Sequence, residues 1–115
     1  MQADKKPIVD DALIQEITRR IVEGVNPRRV ILFGSRARGD ARPDSDIDLF
    51  VEWDTPQTRL DRYMEVRRFL RGVGVPIDVI VMTPTEVAAR RNSRASMVPV
   101  IEREGRIIFQ SDGLR

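Results

Sequence analysis

From Ser45 to Val51 the chain reads Ser-Asp-Ile-Asp-Leu-Phe-Val, with acids at 46 and 48 and aliphatic residues at 47, 49 and 51. Side chains alternate between faces along a strand, so this spelling predicts a strand with Ile47, Leu49 and Val51 on a buried face. Asp46 and Asp48 then project together from the opposite face, with Cα atoms roughly 6–7 Å apart. Two carboxylates held so close repel unless a positive charge lies between them. A hard divalent cation such as Mg2+ suits that place, because it favours oxygen ligands and keeps waters or phosphates in its shell.

The remaining pattern supplies a scaffold for such a strand. Leu13, Ile14, Ile17, Ile21 and Val25 recur at helical spacing, with Asp10 or Asp11 as N-cap and an end near Asn26-Pro27. The apolar run Arg29–Phe33 reads as a buried strand that stops at Gly34. Gly34 to Ser45 is a loop with room for one helical turn. Thr58 caps a helix carrying Leu60, Tyr63, Met64 and Leu70 on one face and closed by Gly72 and Gly74. Ile77–Met82 is a third strand. Thr83-Pro84-Thr85-Glu86 fits a capping box with proline at the first helical position, predicting a helix over 84–91. A short helix over 95–104, the stop at Gly105 and a strand over 106–109 complete the order.

This order gives one α/β (α+β) domain over 10–110 with a mixed four-stranded sheet, a flexible segment over 1–9 and a tail over 111–115. A length of 115 residues suits that single domain and leaves little space for another. No apolar run reaches the roughly 18 residues of a membrane helix, and the N-terminus lacks a signal-peptide stretch; a cytoplasmic protein is expected.

Composition narrows the chemistry further. The chain has no cysteine and no histidine, which excludes thiol nucleophiles, zinc–thiolate sites, imidazole bases and Ser-His-Asp triads. Carboxylates, hydroxyls, arginines and a bound metal remain. A formal charge of +2 gives no electrostatic case for direct nucleic-acid binding. The basic residues are almost all arginine, which favours planar contacts with phosphate or carboxylate. Arg67, Arg68, Arg71, Arg90, Arg91 and Arg94 read as solvated helix faces, or more sharply as an interface for an acidic partner helix. Trp53, Tyr63 and Phe69 read as core or partner-facing residues.

The loop Gly34-Ser35-Arg36-Ala37-Arg38-Gly39 adds a second chemical element. Gly34 admits a close backbone approach, and Ser35 offers a hydroxyl and an N–H where a phosphate can sit. Taken alone, a Gly-Ser after a strand is commonly just a turn with an N-cap, and Asp-x-Asp is commonly solvated. Asp78 raises the stakes. It interrupts the apolar strand 77–81, where a buried unpaired charge costs several kcal/mol. A neighbouring strand that sets Asp78 beside Asp46 and Asp48 completes a metal site, and a phosphate cradle beside it is the machinery of phosphoryl or nucleotidyl transfer.

Leu32-Phe33-Gly34-Ser35-Arg36-Ala37-Arg38-Gly39, followed ten residues after Gly-Ser by Asp46-Ile47-Asp48, resembles the signature of the minimal nucleotidyltransferases, the smallest members of the DNA polymerase beta-like superfamily. Asp78 with its apolar strand matches the superfamily's third carboxylate. The ending Ile101–Phe109 is also similar to the helix-to-strand close of these short proteins, so the resemblance spans about residues 10 to 110.

The resemblance implies that Asp46 and Asp48 bind two Mg2+ ions and that Asp78 binds the one near the acceptor hydroxyl. It implies that Gly34 and Ser35 hold the β- and γ-phosphates of ATP. Arg36 and Arg38 are further phosphate contacts on this reading, and Arg42 a weaker one. Minimal nucleotidyltransferases typically accompany a helical HEPN-domain protein as antitoxin to its toxin, and transfer AMP to a tyrosine of it. That implies a protein acceptor and a heteromeric complex. Two alternatives stay open: an antitoxin that silences its partner by occlusion alone, and transfer to a small molecule or RNA end with a partner subunit. The base of the nucleotide, the number of AMP groups and the oligomeric state are left open by the residues.

Overall fold

A computed structural model describes residues 8–111. The expectations for 1–7 and 112–115 lie outside the described residues.

The strand with alternating acids, β2 (Ile47–Glu52), runs antiparallel to β1 (Arg29–Phe33) and parallel to β3 (Ile77–Met82). The last strand, β4 (Arg106–Gln110), adds antiparallel to the far side of β1, with an irregularity at Val30/Ile31. The order β3-β2-β1-β4 is the mixed four-stranded sheet that the sequence pattern predicts. It leaves β3 and β4 at the edges.

Helix α1 (Asp11–Val25) starts at Asp10, whose carboxylate accepts the N–H of Leu13, so Asp10 rather than Asp11 is the cap. Asn26 ends it in the left-handed conformation, returning its N–H to the carbonyl of Val22. Ile14, Ile17, Ile21 and Val25 are buried as the periodicity requires. They join Val30, Leu32, Ile47, Leu49, Val51, Val79 and Val81 in one core, which α3 (Arg59–Arg68) closes through Val66. Gly24 lets α1 lie on Phe69: a Cβ there would stand 2.6 Å from the ring.

The second face of the sheet is covered too, over part of its length. Ile31 and Phe50 pack under Val87 of α4 (Pro84–Arg90) and Val98 and Ile101 of α5 (Val98–Glu104). The capping box of α4 forms in full, the side chains of Thr83 and Glu86 each accepting the other's backbone N–H. Phe50 is fully buried and contributes about 1.5–3 kcal/mol by its burial. Alternation in β2 thus separates two cores, and only its first residues carry an open face. Among the described residues no helix is long and apolar enough to cross a membrane.

Three expectations need correction. The inner face of α3 is not Leu60, Tyr63 and Met64, which are 67%, 38% and 57% exposed; it is Arg62 and Val66, because Arg62 meets Glu86 of α4. The last helix begins at Val98 rather than at 95, since the hydroxyls of Ser93 and Ser96 accept the N–H groups of Ala95 and Val98 and hold that stretch in turns. Arg67 and Arg91 are not simply solvated: Arg67 donates to the carbonyl of Ile77, and Arg91 pairs with Glu102.

Candidate active site

Where β1 ends, Gly34 turns the chain with φ 74 and ψ −157, a conformation that L residues rarely adopt. The next four residues form one turn of helix, α2 (Ser35–Arg38), whose first bonds run from Ala37 and Arg38 to the carbonyl of Gly34. The N–H groups of Ser35 and Arg36 precede those bonds and stand outside the helical ladder. Gly39, also at positive φ, ends the turn with its N–H on the carbonyl of Ser35.

Across the sheet from this turn lie the acids. In register, Phe33 of β1 faces Asp48 of β2, and Asp48 faces Asp78 of β3. The sheet therefore carries two of the three aspartates side by side, on the face that α4 and α5 cover farther along. Asp46 is exposed and sits one residue before β2. Asp78 is exposed as well, which corrects the expectation that its strand buries it. Edge position explains this: β3 has a neighbour on one side only, and its apolar residues Val79 and Val81 face the first core.

The electrostatics single out Asp48. Partial burial, the charge of Asp78, the charge of Asp46 and a hydrogen bond with Asp78 all push its carboxyl above the usual range. The positive charge of Arg38 works the other way. Among the described residues, none of the three aspartates forms an ion pair with an arginine within 4.0 Å. Nor do three acids converge into one metal-ligating cluster among those residues. The set is hard oxygen donors whose mutual repulsion Arg38 offsets only in part, a composition that fits Mg2+.

The arginines divide. Arg36 folds back over the loop, its Nη2 donating to the carbonyls of Ser45 at 2.8 Å and of Arg42 and Pro43 at 3.2 Å. It thereby anchors the segment that leads into Asp46. Arg38 is exposed and holds only a loose pair with Asp40 at 3.3 Å, so its guanidinium can turn toward a ligand. Arg42 is exposed, with its backbone N–H on the hydroxyl of Ser45.

Beside the acids opens a cavity of about 270 Å3, lined by Phe33, Gly34, Arg38 and Asp48 and, from α5 and its cap, Met97, Val100, Ile101 and Glu104. The sequence pattern gives no hint of these α5 residues, because a short apolar helix reads as core. Three larger hollows, of about 480, 440 and 410 Å3, are lined by none of the three aspartates.

A glycine turn leads into one helical turn, Asp46 and Asp48 lie at the start of the next antiparallel strand, and Asp78 lies on the parallel edge strand. The family described as "Nucleotidyltransferase domain" matches residues 13–107. The chain belongs to this nucleotidyltransferase domain family. Within it, "Putative protein adenylyltransferase MJ1305" of Methanocaldococcus jannaschii is 36% identical over 66 residues, 53% of this chain and 45% of that protein. The chain thus matches less than half the length of that relative. The "putative nucleotidyltransferase" crystal structure from Sulfolobus solfataricus superposes with a TM-score of 0.62 at 25% identity, over 86% of this chain and 78% of that one. A chain of a toxin–antitoxin complex determined with AMP-PNP has the same fold, with a TM-score of 0.57 at 17% identity over 91% and 77% of the two chains.

Proposed function

We propose that this nucleotidyltransferase domain transfers AMP from ATP to a hydroxyl of a partner protein, a tyrosine of a HEPN-type toxin, and acts as its antitoxin. The observation that carries this reading is the in-register pair Asp48 and Asp78 beside the Gly34–Ser35 turn, with Asp46 just upstream. The name of the adenylyltransferase relative supports a protein acceptor, and a toxin–antitoxin chain of the same fold supports a toxin partner at the level of architecture.

On this reading Gly34 and Ser35 hold the β- and γ-phosphates, the glycine by admitting a close approach and Ser35 by its N–H and hydroxyl, and Arg38 turns in from the rim. Asp46, Asp48 and Asp78 are the residues that would hold Mg2+, which would neutralise phosphate charge and polarise the reacting oxygens. The acceptor oxygen bonds to the α-phosphorus while the bond to pyrophosphate breaks. Asp78, on the open edge, takes the hydroxyl proton in a site that has no imidazole. Arg36 acts indirectly, holding the loop before Asp46 in place.

Mass spectrometry of the partner after incubation with ATP and Mg2+ tests the proposal. The expected result is an adduct of one or more AMP groups on tyrosine, absent when Asp46→Asn and Asp48→Asn are combined. Neutralisation of the partner with no adduct, undiminished in the double variant, identifies occlusion instead. An adduct on RNA or on a small molecule identifies a different acceptor.

A further inference from the structure

The cavity next to Asp48 has one wall that the reaction does not explain. Met97, at the cap of α5, is 53% exposed and Val100, on its first turn, is 41% exposed, while their neighbours Val98 and Ile101 are fully buried against the sheet. A seven-residue helix has no need of apolar groups on both sides to stay docked. The exposed pair lines the same cavity as Phe33, Gly34, Arg38 and Asp48. It is an apolar shelf continuous with a phosphate site, and a ligand with a flat apolar part and an anionic part matches both.

We propose that this shelf seats the base of the bound nucleotide, so that Met97 and Val100 fix where the nucleoside lies while Gly34 and Ser35 hold its phosphates. The inference rests on the nucleotidyl-transfer reading above. The positions of the acids favour the nucleotide over the acceptor as occupant. An in-line displacement sets the acceptor oxygen opposite the departing pyrophosphate. Pyrophosphate leaves from the Gly34 end, at the close of β1, so the acceptor arrives from the Asp78 side, at the edge strand β3. The shelf belongs to the other side, because α5 packs against β1. Met97 also suits the role chemically: an unbranched thioether moulds to the face or edge of a ring.

Equilibrium binding of two probes to the purified full chain separates the shelf from the phosphate site. The probes are MgATP and magnesium tripolyphosphate, which carries the phosphates without the nucleoside. For the variant Met97→Ser combined with Val100→Ser, about a tenfold loss of MgATP affinity is expected, with tripolyphosphate affinity unchanged. Both positions are exposed, so the thermal midpoint stays near that of the parent chain. Unchanged MgATP affinity in the variant overturns the base seat, and so does a parallel loss for both probes, which signals a disturbed phosphate loop. A variant that binds MgATP normally but transfers poorly to its acceptor also overturns it, and assigns the shelf to the acceptor. A parent chain that binds neither probe overturns the nucleotidyl-transfer reading itself, a result distinct from all of these.

Discussion

A Cβ on Gly34 would fall on the carboxylate of Asp48, one strand away. The turn that opens the phosphate loop and the acid beside it are thus in direct contact, and each fixes the other's place. Gly34→Ala adds backbone strain of about 1–3 kcal/mol, since φ is 74 there, and displaces the Asp48 carboxylate. Nucleotidyl transfer falls about a hundredfold, because misplacing a reacting group by an ångström costs that much. Activity within a few-fold of the parent, measured on protein shown folded by circular dichroism, contradicts the contact's importance.

Asp48 itself weakens the fold in the absence of a cation. Burial, Asp78 and Asp46 raise its pKa, so its charged form is disfavoured in the folded chain relative to the unfolded one. The deficit is complete at neutral pH and disappears as pH falls through the raised value and then the ordinary carboxylate range. Without divalent cations, Asp48→Asn raises the thermal midpoint at pH 7 by on the order of a few °C, and the gain is gone near pH ~3. Mg2+ stabilises the parent chain and leaves the variant nearly unmoved. Scans at both pH values, with and without Mg2+, read all of this.

Glu102 has the opposite sign. Its hydrogen bond with Arg91, helped by Arg29, lowers its carboxyl to about 2 against the opposing effect of burial. Arg29 also reaches Glu52 at 2.7 Å, so α5 is tied to β1 and β2 through one arginine. The stability from Glu102 is complete above its unfolded pKa and is lost as pH falls toward the folded value. Glu102→Gln lowers unfolding free energy by about 1–3 kcal/mol at pH 7. Urea curves of the two proteins converge near pH ~2. A difference as large there as at pH 7 contradicts the assignment.

Among the described residues Arg62 is the one arginine whose burial is nearly complete, with its side chain 5% exposed and Nη2 at 2.6 and 2.8 Å from the two carboxylate oxygens of Glu86. Glu86 also accepts the N–H of Thr83 in the capping box of α4. Glu86→Ala therefore strands a buried guanidinium and costs about 3–5 kcal/mol. Arg62→Met combined with Glu86→Gln recovers most of that, because the charge is removed together with its partner. Chemical denaturation of the single and double variants gives the comparison.

Arg62 also shows what the amino-acid pattern hides. The strands, the α1 face and the Thr83 box were legible because each rests on neighbours within a few residues: a period, a cap, a glycine stop. The inner face of α3 was not, since burying Arg62 instead of Leu60 depends on a carboxylate 24 residues away. Asp78 was legible as a chemical residue for a reason that does not hold in the fold. Its flanks are apolar, but it lies open on an edge strand. The register that pairs it with Asp48 and the shelf at Met97 and Val100 depend on how distant segments pack, and no local spacing encodes either.

Arg36 joins two parts of the site that the chain keeps ten residues apart. From the single turn of α2 it reaches the carbonyls of Arg42, Pro43 and Ser45, immediately before Asp46. Its Nε is buried without a hydrogen-bond partner, so the side chain is committed to that strut at some cost. A tug on the phosphate turn is passed by this brace to the residue before the first carboxylate. One side chain thus sets the spacing between the turn proposed to take phosphate and the first of the acids proposed to face it.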